Sequence, residues 1–134
     1  MDRLMELLGL TVGRTLLHQM GIDIGRSGFA FAREELKTDD DLLTVANSVW
    51  SRRGWGRITK IEVTGSDFRI YQIGVKDNPI SCRFPGDEPM CHVLRGVCTG
   101  FLEAYVGKKS RFSKQTTCTA LGEPDCTFEV TFDK

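Results

Sequence analysis

Near its C-terminus the chain reads TTCTALGEPDCTFEVTF, which sets Cys118 and Cys126 eight positions apart around a Gly-Glu-Pro-Asp turn. If the loop is centred on Gly122, Cys118 falls directly opposite Cys126 in a hairpin, with β-carbons ~5 Å apart on one face. Phe128, Val130 and Phe132 share the parity of Cys126, so both thiols sit at the end of an apolar face. Small core residues are one reading of such a pair. A third thiol opens another. Cys91 stands where a helix should begin, and free N–H groups at a helix start favour thiolate. Three converging thiolates would suit Zn²⁺, which takes four N, S or O ligands in a tetrahedron. The fourth position falls to Gln115, His92 or a water. Cys98 is a poor candidate because seven helical residues separate it from Cys91 by ~10 Å along the axis. Cys82 remains a further thiol that spacing does not place. The C-x₂₆-C-x₇-C pattern is no zinc-finger signature.

Other chemistry is sparse. Cys91 beside His92 looks like a nucleophile with its base, but adjacent helical side chains diverge by ~100°. No Gly-x-Gly-x-x-Gly follows a strand; Gly54-Trp55-Gly56 lacks the rest of that fingerprint. The expectation is therefore a non-enzyme. The basic run Lys108 to Lys114 reads as a solvated loop.

Composition bounds the rest. The 134 residues fit a single domain over 1–134, long enough to bury roughly two thirds of its surface. Eighteen basic and eighteen acidic side chains cancel, so no net field draws nucleic acid or a membrane surface. No apolar run reaches the ~18 residues of a membrane span. Asp2, Arg3 and Glu6 rule out a secretory leader at the start, and a cytoplasmic, reduced setting is expected. Five cysteines also cannot all pair within one chain.

These groups need elements to hold them. Residues 1–36, rich in Leu, Met, Ala, Arg and Glu, read as two helices, with Gly21, Gly25 and Gly28 marking their junction or a close helix approach. Gly9 and Gly13 share that spacing. Thr38 should cap the next helix and Asp39, Asp40 and Asp41 fill its first turn. Leu42, Val45, Ala46 and Val49 are its buried stripe, and it should stop near Gly54. The β-rich segments around Gly65-Ser66-Asp67 read as a hairpin, with a short extended piece near residues 80–84. A helix starts at Asp87-Glu88-Pro89, buries Cys91, Leu94, Cys98, Phe101 and Tyr105, and ends at Gly107. The order predicts an α+β fold, with a helical layer packed on a small antiparallel sheet.

The stretch CHVLRGVCTGFLEAYVGKKSRFSKQTTCTALGEPDCTF resembles the 4-vinyl reductase domain family. The features that carry this are a Cys at the helix start, Gly100-Phe101, Gly107, and a closing Cys-x₃-Gly-x₃-Cys-x-Phe formed by Cys118, Gly122, Cys126 and Phe128. The segment GIDIGRSGFA, Asn47-Ser48 and Gly54-Trp55-Gly56 extend the likeness over nearly the whole chain. The resemblance implies the fold shared with TRAPP vesicle-tethering subunits and, more distantly, heme-NO-binding domains. It also implies zinc: sensory domains of aromatic-hydrocarbon-responsive regulators hold it with three cysteines, matching Cys91, Cys118 and Cys126, and a glutamate whose place Gln115 takes here. A neutral amide is a weaker ligand than a carboxylate.

The same likeness implies a pocket for a hydrophobic or aromatic small molecule. Trp50, Trp55, Phe68, Tyr71, Phe101 and Tyr105 are its candidate lining, around a cavity of ~300 Å³ or more. The anchors would be Trp55 through its indole N–H and Tyr71 or Tyr105 through the hydroxyl. Apolar Leu4, Met5, Leu7, Leu8, Leu10 and Val12 exceed what a small sheet can cover, and a homodimer built partly on residues 1–36 is expected. Alternative readings are a TRAPP-like scaffold that binds a protein partner, and an accessory pigment-binding role in tetrapyrrole vinyl reduction.

Overall fold

The computed structural model describes residues 2–36, 41–76, 88–117 and 126–133. In chain order these form α1 (Asp2–Ala32), α2 (Leu42–Arg53), β1 (Arg57–Thr64), β2 (Phe68–Lys76), α3 (Glu88–Val106), β3 (Phe112–Thr117) and β4 (Cys126–Asp133). The strands make one antiparallel sheet in the order β1-β2-β4-β3. The α+β class expected from the sequence is the fold observed.

Residues 1–36 do not divide into two helices as expected. Asp2 to Ala32 is one helix of 31 residues, about 46 Å long at the usual rise. Of the two readings of its glycines, the close helix approach is the one that holds. Gly21, Gly25, Gly28 and Ala32 are all buried at helical spacing. A β-carbon on Gly21 would overlap the Val93 carbonyl oxygen, and one on Gly25 that of Val97. From α3, Gly96 and Gly100 return the contact against His18 and Ile22. Only glycine permits backbones to meet this closely. The two helices run in the same direction, since the contact advances together along both. Gly13 meets nothing within 4 Å.

α3 is the centre of the molecule, with Val93, Leu94, Val97, Cys98, Phe101 and Leu102 at 7% exposure or less. Beneath it the inner sheet face presents Tyr71, Ile73 and Val75 from β2, paired with Val130, Phe128 and Cys126 of β4. Gly107, with φ of 84°, closes α3 as expected, its N–H donating to the Glu103 carbonyl. α2 starts at Leu42 with Asp41 as its N-cap and no side-chain capping bond. The expected Thr38 cap with Asp39 and Asp40, and the piece near residues 80–84, lie outside the described residues. Asn47 fastens α2 to the sheet, its Oδ1 accepting the Ile58 N–H at 3.0 Å.

Candidate ligand and metal sites

α2 and the turn after it assemble an aromatic cluster. Gly54, at φ 72°, ends the helix and turns the chain so that the Trp55 N–H reaches the Trp50 carbonyl at 2.9 Å. Trp50 then lies edge-to-face with Trp55 and with Phe101 of α3, each pair of ring centroids 5.1 Å apart. Phe29 of α1 extends the cluster to Phe101 at 5.6 Å and Tyr105 at 6.4 Å. Four of the six aromatics singled out in the sequence therefore meet. The other two do not. Tyr71 stacks edge-on with Phe132 on the inner face of the sheet. Phe68 is on the outer face, 39% exposed and covered by the Arg111 guanidinium at 5.2 Å.

The buried donor without a partner is a third group, neither Trp55 nor a tyrosine. Trp50 is fully buried, and its indole N–H has no hydrogen-bond partner among the described residues. A buried donor without a partner costs free energy of about 1–3 kcal/mol, which makes it a position where a ligand acceptor would be gained without competition. The rings otherwise pack on one another. Clefts lined by described residues open to solvent, among them one of about 260 Å³ beside α2, one of about 420 Å³ between α1 and α3, and one of about 470 Å³ beside Arg69, Val106 and Phe132.

The α1–α3 cleft surrounds a carboxylate absent from the sequence reading. Glu103, 8% exposed, accepts from Arg26 Nη2 on one oxygen at 2.9 Å, and from the Ser110 N–H and hydroxyl on the other, both at 2.9 Å. It ties α1, α3 and the loop before β3 together. Glu103 lies two residues from both Phe101 and Tyr105, off the apolar stripe they share, and so carries no local signal of burial. At the other end of the same seam, His18 is held below the usual histidine range by burial and then by the charge of Arg95.

The hairpin of β3 and β4 carries the metal candidates. Gln115 pairs with Phe128, and one irregularity later Thr117 pairs with Thr127. The register centred on Gly122 is thus met at Thr117, while the bulge between moves Gln115 to the face of Phe128 and Cys126. Without it, Gln115 would oppose Glu129 and face outward. Its Nε2 donates to the Thr117 carbonyl at 2.9 Å; of the two ends of an amide, the oxygen is the one that ligates metals. Cys126 is fully buried opposite Val75. Burial pushes the Cys98 thiol up, and Cys126 adds to the shift, so α3 sets a protonated thiol beside the end of β4. Cys118, Cys82 and the Cys91 side chain lie outside the described residues. Among the described residues no three His, Cys, Asp or Glu side chains converge.

A helical layer on a small antiparallel sheet is the architecture read from the sequence likeness, and four strands make that sheet here. Residues 72–132 match the 4-vinyl reductase domain, the family that the sequence resembles. Nineteen solved chains are similar to this one. Among them is the phenol-responsive sensory domain of the transcription activator PoxR, solved with phenol. It superposes with a TM-score of 0.71 at 22% identity, over 96% of this chain and 69% of that one. No curated protein matches. No helix among the described residues is long and apolar enough to cross a membrane.

Proposed function

We propose that this chain is a non-catalytic sensor module that binds a small hydrophobic or aromatic molecule at the Trp50 cluster. The observation that carries this is the indole N–H of a fully buried tryptophan that has no partner among the described residues. A ring-bearing ligand with one hydrogen-bond acceptor would stack on the neighbouring aromatics and satisfy that donor. Because Trp50, Trp55 and Phe101 now touch, binding requires the cluster to open, at a cost taken from the affinity. The likeness to a phenol-responsive sensory domain supports the reading.

Zinc belongs to the same proposal. Cys91, Cys118 and Cys126 would supply three thiolates and Gln115 the amide oxygen, and zinc so held would pin the start of α3 to the hairpin. Closed by four protein ligands, it offers no open position for chemistry. The amide lowers the ligand charge relative to a glutamate but keeps an oxygen donor on the correct face.

The module would act as a cytoplasmic homodimer. Val12, Leu16 and Met20 recur every four residues on α1 and are 57%, 59% and 55% exposed, a stripe that a second copy would cover. That stripe, with the ring-on-ring packing, also supports the second reading, a TRAPP-like scaffold that works through its surface. Native mass spectrometry separates them. The sensor reading expects zinc-loaded dimers that take up single-ring aromatic compounds from a panel; the scaffold reading expects dimers that take up none.

A further inference from the structure

The cleft beside α2 has a composition that the aromatic cluster lacks. Its floor is apolar, formed by Ala32 at 2% and Val49 at 9% exposure. Its rim carries Glu35 and Ser48 on one hand and the successive arginines Arg52 and Arg53 on the other. Cleft and cluster share a wall. A β-carbon on Gly28 would meet Trp55 Cη2 at 3.0 Å and Val49 Cγ1 at 3.3 Å, so the cleft floor and the Trp55 ring abut across that glycine. Arg53, on the rim, lays its guanidinium over the same ring at 5.5 Å. Trp55 in turn contacts Trp50, whose buried N–H is unpartnered among the described residues.

The arginines occupy the last turn of α2, where the helix dipole favours positive charge. They outnumber the single carboxylate of the cleft. Arg52 has no hydrogen-bond or ion-pair partner among the described residues, whereas Arg53 is engaged with Trp55. A guanidinium without a partner presents a planar fork of donors that matches a carboxylate.

We infer that this cleft is the mouth of the Trp50 site and selects ring compounds that carry a carboxylate. The ring would lie on Val49 and Ala32 against Trp55, with the carboxylate on Arg52. The inference rests on the proposed small-molecule site and names its ligand class. A neutral phenol would gain the ring contacts but leave Arg52 to water.

The test is a tryptophan-fluorescence titration of the full chain with benzoate and with phenol, repeated on Arg52→Gln. Benzoate should bind about fivefold tighter than phenol, the scale of one exposed charge pair, and that preference should shrink with added salt. Arg52→Gln should abolish the preference by weakening benzoate binding about fivefold, with the melting temperature unchanged. Phenol binding with no preference for benzoate, or a preference that survives in Arg52→Gln, overturns the inference and leaves the small-molecule site standing. No response to either compound overturns both.

Discussion

Gly21 of α1 and Gly96 of α3 face each other so closely that a β-carbon on either would lie 2.9 Å from the other's α-carbon. This contact holds the long helix on the central one, and backbone atoms on both sides leave nothing soft to give way. Gly21→Ala should gain the better helix propensity of alanine, about 1 kcal/mol, and lose more than that by forcing the helices apart. The net expectation is a loss of about 1–2 kcal/mol in chemical denaturation. An unchanged or higher midpoint would contradict the packing.

Glu103 is the second fastening of that seam. Glu103→Gln keeps the shape but weakens the bonds from Arg26 and Ser110, and should cost about 1–2 kcal/mol. Glu103→Ala should cost more, because it leaves the Ser110 N–H without its acceptor. Arg26 is 46% exposed, so a double-mutant cycle between Arg26 and Glu103 should return a coupling of about 1 kcal/mol or less. A larger coupling would mean that the ion pair rather than the serine cage dominates.

These two contacts also show what the sequence could and could not tell. The sheet hairpin, α2 with its Leu42, Val45, Ala46 and Val49 stripe, and the end of α3 at Gly107 were legible because apolar spacing and punctuating glycines report on local geometry. α1 was legible only in part. Its glycines were open to two readings, a junction or a close helix approach, and the second is what the fold uses: the buried stripe is Gly21, Gly25, Gly28 and Ala32, while Val12, Leu16 and Met20 face outward. Glycines that serve a close helix approach differ from breaks only in having glycines opposite, as Gly96 and Gly100 are. At the site, most of the aromatic cluster was legible from residue type. The anchor was not, because which indole is left without a partner depends on neighbours far away in the chain. The bulge that turns Gln115 inward likewise depends on pairing, not on composition.

The metal proposal separates two buried thiols. Cys126→Ala and Cys98→Ala both remove a fully buried sulfur, and each should cost a similar packing term. Only Cys126→Ala should also lose zinc, with several kcal/mol of further destabilisation. Elemental analysis should find about one zinc per chain in the parent and in Cys98→Ala, and little in Cys126→Ala. A parent without zinc, stable in a strong chelator, would return the cysteines to the core.

The exposed stripe of α1 predicts assembly. Leu16→Glu places a charge at a position 59% exposed in the single chain, so the monomer fold should tolerate it. Light scattering at ~100 μM, far above the dissociation constant of a stable interface, should give a dimer for the parent and a monomer for Leu16→Glu. A monomeric parent would remove the stripe from the account.

The account turns on the Trp50 indole. The chain has two tryptophans, so a ¹⁵N-labelled sample should give two indole N–H resonances, and Trp50→Phe identifies one by its loss. Titrating phenols into the parent, the Trp50 resonance should move downfield in a saturable manner as its proton acquires an acceptor. Trp50→Phe should bind the same compound more weakly by about 1 kcal/mol, about fivefold. A Trp50 resonance that stays fixed while every compound is added, with the protein folded and zinc-loaded, would contradict the sensor reading and leave a scaffold.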